Sequence, residues 1–220
     1  MQNILLILIE AFICYASIVI LNKKYKEDGL YIYGIIAMFT SCIMSLKQVD
    51  FLGITVPIGF AVSTSLIIVG NLITQKKGPD SIKTYITLIL ITGLIGCCFL
   101  NMSGLIEISD YSRLANLSYN SIFEYNLRIY IANILSIVIS IYIGSKLYYL
   151  IKRTNNKIII NNTFTMIIIE LLDNAIFMLI GYAFTYDFAA ITLAIIIRYI
   201  IKTIIGILGT IPIYILNKNN

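Results

Sequence analysis

Four ionisable residues stand in apolar surroundings at spacings that could do chemistry together. Glu170 and Asp173 are three apart, and Arg198 and Lys202 are four apart, so on helices each pair shares one face. Two acids and two bases facing one another would form a polar spot suited to hydrogen-bonding a small molecule, or a charge lock between two helices. Glu10 is a fifth ionisable residue in an apolar run. With no histidine in the chain, any proton relay must run through carboxylates. No phosphate loop, metal cluster or histidine-assisted nucleophile is present, and Asp173 lacks a second aspartate at matching depth, so the reading is a non-enzyme without cofactor or metal.

The elements that must position these residues are membrane helices. The chain of 220 residues is 59% hydrophobic and only 12% charged, against roughly 25% charged residues in a soluble domain. Its mean hydropathy is +0.91. Lipid cannot hydrogen-bond exposed backbone, and runs such as 4–9 and 176–180 lack the alternation of barrel strands, so helices are expected.

A window of about 20 residues, enough to cross a bilayer core, gives seven spans, near 3–21, 30–46, 54–74, 84–105, 127–151, 163–183 and 188–216. The first has no basic start and carries Glu10 centrally, which argues against a signal peptide. The fold class expected is an all-α integral membrane protein, a six-helix core plus an N-terminal helix, in one transmembrane domain over 1–220. Basic residues fill alternate loops: Lys23, Lys24 and Lys26; Lys76, Lys77 and Lys83; Lys152, Arg153 and Lys157; then Lys218. The other loops hold mainly Lys47, Asp50, Glu107, Asp110, Arg113, Glu124 and Asp187. Positive residues favour the cytoplasmic side, which places the N-terminus outside and the C-terminus inside.

The same rule accounts for the net charge of +5, so no nucleic-acid partner is expected. Cys14, Cys42, Cys97 and Cys98 lie in apolar spans without ligand spacing and read as small buried hydrophobes. Tyr31, Tyr33, Tyr125, Tyr130, Tyr148 and Tyr149 lie near span ends and read as interfacial belts. Gly93 with Gly96, and Gly206 with Gly209, read as helix-contact points. Heavy use of Ile, Asn, Lys and Tyr suggests an AT-rich bacterial genome, hence a bacterial inner membrane.

From Gly29 onward the chain resembles the queuosine-precursor transporters, also called the vitamin-uptake transporter family. The resemblance is carried by Gly29-Leu30-Tyr31, Ile36-Ala37, Lys47, Val49, Gly53, Thr55, Gly59 and Gly78, by Ile122-Phe123 and Arg128, by Asp173 and Phe177, and by Tyr199, Lys202, Thr210 and Pro212. Gly70, Asn71 and Gln75 stand where that family usually has a Thr-Asp pair and a Glu, and Ile141 and Gly144 where it has a Gln and an Asp, so three acidic positions are neutral here. The resemblance implies uptake of 7-deazaguanine bases, with Glu170, Asp173, Asn71, Gln75, Arg128, Lys202, Arg198 and Lys47 as candidate substrate-binding residues. A carboxylate could accept the two adjacent N–H donors of a guanine-like edge. Two other readings remain open at this point: the substrate-binding subunit of an energy-coupling-factor transporter, and a non-transporting immunity or assembly protein. A homodimer, or energy-coupling partner subunits, likewise stay open.

Overall fold

The computed structural model describes residues 2–51, 53–106, 117, 119, 120, 126–154 and 157–218. Loop residues Glu107, Asp110, Arg113, Glu124 and Tyr125, and the Ile122-Phe123 pair, lie outside them. The elements run in the order α1 (Gln2–Tyr25), α2 (Asp28–Met44), β1 (Gln48–Phe51), β2 (Ile54–Pro57), α3 (Phe60–Lys77), a 3-10 turn (Pro79–Ser81) and α4 (Ile82–Leu105). They continue with α5 (Leu127–Thr154), α6 (Ile158–Tyr182), α7 (Phe188–Leu208) and α8 (Thr210–Lys218).

Among the described residues, five helical stretches are long and apolar enough to cross a membrane: Asn3–Tyr25, Pro79–Leu105, Leu127–Thr154, Ile158–Tyr182 and Phe188–Leu216. The remaining two long helices are shorter. α2 has 17 residues and α3 has 18, or roughly 26 and 27 Å at 1.5 Å per residue. The polarity of the bundle suits lipid. Phe12, Phe99, Ile200 and Ile204 face outward, while Ser63, Thr64, Ser65, Asn71 and Thr74 are buried.

α3 is the axis of the bundle. Every residue from Phe60 to Thr74 is buried, and α1, α2, α5 and α7 all pack on it. A helix enclosed on all sides by protein needs no apolar stripe, which is why α3 can carry hydroxyls and amides that a lipid-facing helix could not.

The expected span over 54–74 begins instead with a strand: β1 and β2 form an antiparallel hairpin with Gln48 opposite Pro57 and Phe51 opposite Ile54. Gly53, at φ 80°, supplies the left-handed residue of its tight turn. Thr55 Oγ1 donates to Asp50 Oδ1 at 2.6 Å across the pair. The stretch over 188–216 is likewise two helices, broken at Gly209. There a Cβ would lie 2.0 Å from Ile68 Cδ1, so any larger residue would have to displace the Ile68 side chain of α3.

The expected contact role of Gly93, Gly96 and Gly206 is seen directly. A Cβ on them would press on Met38 and Ile134, on Phe39, and on Met166 respectively. The tyrosine belts are corrected in part: Tyr33, Tyr130 and Tyr148 are buried inside the bundle. Cys14, Cys42 and Cys97 are buried as expected, but Cys98 is exposed on α4.

The basic loops come together at one end. Lys76 Nζ donates to Asn22 Oδ1 at 3.1 Å, Lys77 pairs with Glu27, and Lys152 Nζ donates to the Gln75 carbonyl at 2.9 Å. Burial pushes the Lys76 amine down from its usual range, while the hydrogen bond to Glu27 raises that of Lys77.

Candidate functional site

Glu170 and Asp173 sit a turn apart on α6, and Arg198 and Lys202 a turn apart on α7, which packs on α6. The spacing therefore does what it suggested, and the two pairs meet inside the bundle. Lys202 Nζ lies 3.0 Å from Glu170 Oε2 and also bonds Asp173 Oδ2, bridging both acids. The side chains of Lys202 and Glu170 have no exposure at all. Ser140 on α5 donates to Asp173 Oδ1 at 3.4 Å. Among the described residues no hydrogen bond of full geometry reaches Glu170 Oε1, and the Thr64 hydroxyl on α3 lies beside that carboxylate.

Arg198 does something different from its neighbour. Its Nε donates to Asn174 Oδ1 at 3.0 Å and its Nη1 to the Pro57 carbonyl at 2.5 Å. Its guanidinium lies 4.5 Å from the ring centre of Phe177 and 5.4 Å from that of Phe60, a cation–π arrangement. Asn174 is fixed in turn by donating from Nδ2 to the Glu170 carbonyl at 2.7 Å. Arg198 thus holds the end of the hairpin against α6, and it balances the second carboxylate charge only at a distance.

The other candidates spread along the axis. Asn71, two turns from Thr64 on the same face of α3, donates to Asn162 Oδ1 at 3.0 Å, and its own Oδ1 is buried without a hydrogen bond among the described residues. Asn162 Nδ2 donates to Gly206 O at 3.2 Å and to Thr210 Oγ1 at 2.9 Å, satisfying polar groups at the α7–α8 break. Eight residues separate Asn162 from Glu170, so this layer lies about 12 Å from the charges. Gln75, one turn further, accepts from Tyr148 OH at 3.1 Å near the basic end. Thr64, Asn71 and Gln75, at i, i+7 and i+11, form one polar line down α3 from the charge cluster to the lysine-rich loops.

Lys47 and Arg128 do not join this set. Lys47 is exposed just before β1. Arg128 is exposed, with its Nε donating to the Ile180 carbonyl at 2.6 Å near the end of α6. Thr64, Ser140, Asn162 and Asn174 were missed in the sequence. Single hydroxyls and amides in apolar runs are common, and only a buried, polar α3 marks them out.

The protein-family model described as "Putative vitamin uptake transporter" matches residues 57–216. No curated protein and no solved structure matches the chain.

Proposed function

Because this chain belongs to the vitamin-uptake transporter family, we propose that it imports a queuosine precursor, a 7-deazaguanine base, across a bacterial cytoplasmic membrane. The basic end would face the cytoplasm, with the N-terminus outside and the C-terminus inside. One observation carries the reading: two almost completely buried carboxylates share a single lysine, and among the described residues no hydrogen bond of full geometry reaches Glu170 Oε1.

With Arg198 counted, the two acids and two bases balance, and Lys202 can exchange partners between the acids. A deazaguanine edge brings two parallel N–H donors, which a carboxylate accepts together. Asp173, at the position the family resemblance singles out, would accept that edge once Lys202 swings toward Glu170. Glu170 then keeps the lysine paired, and the two N–H donors of the base take the place of the lysine at Asp173. Ser140 and Thr64 offer hydroxyls beside the two acids, and Phe60 and Phe177 offer ring faces close by. The polar line through Asn71 and Gln75 gives the released base a route toward the basic end, with amides rather than charges along it.

The test is expression in a bacterium that cannot make queuosine precursors, with each candidate base supplied and queuosine measured in its tRNA. The proposal expects at least one base to restore queuosine only when the protein is made. If no base does so while the protein is present in the membrane, the substrate assignment is wrong.

A further inference from the structure

Opposite charges clamp the segment joining the hairpin to α3 from two sides. On α7, Arg198 Nη1 donates to the Pro57 carbonyl. On α1, Glu10 Oε1 accepts from the Val62 N–H at 3.4 Å, and the carboxylate lies near the Ala61 N–H as well. These amides belong to the first turn of α3, whose N-cap Gly59, at φ 87°, supplies no side-chain cap. A helix leaves its first N–H groups unpaired and its N-terminus partly positive. A carboxylate from another helix therefore serves here as the cap.

This happens at membrane depth. Glu10 lies eight residues into α1, about 12 Å from its start, where an ionisable group is costly and irregular backbone must find partners. Unlike Glu170 and Asp173, Glu10 is only half-buried, and it opens on a groove of about 450 Å³ between α1 and α2. Cys14 and Tyr33 are the titratable groups that share that groove, and no lysine or arginine lines it among the described residues. The Tyr33 hydroxyl is engaged with Ser65 Oγ at 2.6 Å. The anion is thus held by backbone amides alone, in an open apolar groove.

We propose that Glu10 is a proton-binding site that controls the anchoring of residues 57–62. The ionised carboxylate accepts from the first turn of α3 and complements its positive end. The protonated acid has lost the charge and one acceptor, so the segment loosens as pH falls through the titration of Glu10. Because α3 carries Thr64 and Asn71, and Pro57 is tied to Arg198, proton arrival at the bundle's edge reaches the central cluster through one helix. The inference rests on the transport reading only for its purpose, and neither readout below needs a substrate.

The purified full-length protein in lipid nanodiscs is treated with the apolar reagent dicyclohexylcarbodiimide and mapped by peptide mass spectrometry. The reagent adds across a protonated carboxyl, taking its proton to nitrogen and its oxygen to the central carbon, and acyl transfer to nitrogen then gives a stable N-acylurea. The adduct should form on Glu10, decline as pH rises, and vanish in Glu10→Gln. In parallel, hydrogen exchange of residues 57–66, corrected for intrinsic rates, should lose protection in the parent protein as pH falls. In Glu10→Gln it should be about tenfold less protected than the parent at high pH, where Glu10 is ionised, as loss of a charged hydrogen bond predicts, and the two proteins should converge as pH falls. An adduct on Glu170 or Asp173 with Glu10 untouched, or exchange in the parent that does not respond to pH, overturns the proposal. A failure of queuosine salvage would leave both readouts unchanged, so the two ideas fail separately.

Discussion

Removing the Lys202 amine by Lys202→Met strands two carboxylates that have almost no exposure. At 3.0 Å from Glu170 Oε2, and with an effective dielectric constant of about 20, the attraction of one such pair is about 5.5 kcal/mol. Breaking a buried pair by deleting one partner costs roughly 3 to 5 kcal/mol, a loss of similar size. Asp173→Asn should cost less, because Lys202 keeps Glu170. The double variant Lys202→Met with Asp173→Asn leaves Glu170 balanced by Arg198 and should regain more than half of the loss. Melting can be followed with a thiol-reactive dye, since Cys14, Cys42 and Cys97 are free and buried. Cys98, which is exposed, is first changed to serine. A double variant that melts no higher than Lys202→Met would refute the pairing argument, because the loss would then come from packing rather than from stranded charge.

Gly29→Ala places a Cβ 2.1 Å from the Leu21 carbonyl oxygen, so α1 and α2 must separate. The same melting assay should show a loss at the upper end of the roughly 1 to 3 kcal/mol of overpacking, or failure to fold. Asn162→Ala removes the donors to Gly206 O and Thr210 Oγ1 and should cost about 1 kcal/mol per bond, read as a lower melting point. For orientation, a cysteine at exposed Thr55 on the hairpin should react with a membrane-impermeant maleimide in intact cells, and a reporter fused after Asn220 should read cytoplasm. Reaction at Thr55 only after permeabilisation would reverse the orientation.

The helices were legible because lipid forces long apolar runs, and such runs show in a plain window. The hairpin was not, because Ile54 to Pro57 is as apolar as the helix it precedes and a window of about 20 residues merges them. What separates them is Gly59, and a lone glycine is ambiguous without its φ. The break at Gly209 was hidden for the same reason, since residues on both sides remain apolar. Within the site, the face shared by Glu170 and Asp173 and that shared by Arg198 and Lys202 follow from helical spacing alone. Which base meets which acid does not follow. Lys202 bridges both, while Arg198 turns to the Pro57 carbonyl, more than a hundred residues away in sequence, and only folding sets that pairing. Tyr33, Tyr130 and Tyr148 show the same limit: composition places a tyrosine near a span end, and helix rotation decides whether it faces lipid or core.

The most direct measurement is calorimetric titration of the purified protein with a 7-deazaguanine base, beside Asp173→Asn, Glu170→Gln and a purine lacking the 2-amino group. Binding by the parent should weaken about tenfold or more in Asp173→Asn, as one lost charged hydrogen bond of roughly 1.5 to 3 kcal/mol requires. The purine without the 2-amino group should bind the parent poorly and respond less to that substitution. Both amide variants should stay monodisperse, since one acid still partners Lys202. Equal binding by the parent and both variants would contradict the account and leave the charge cluster as a structural lock.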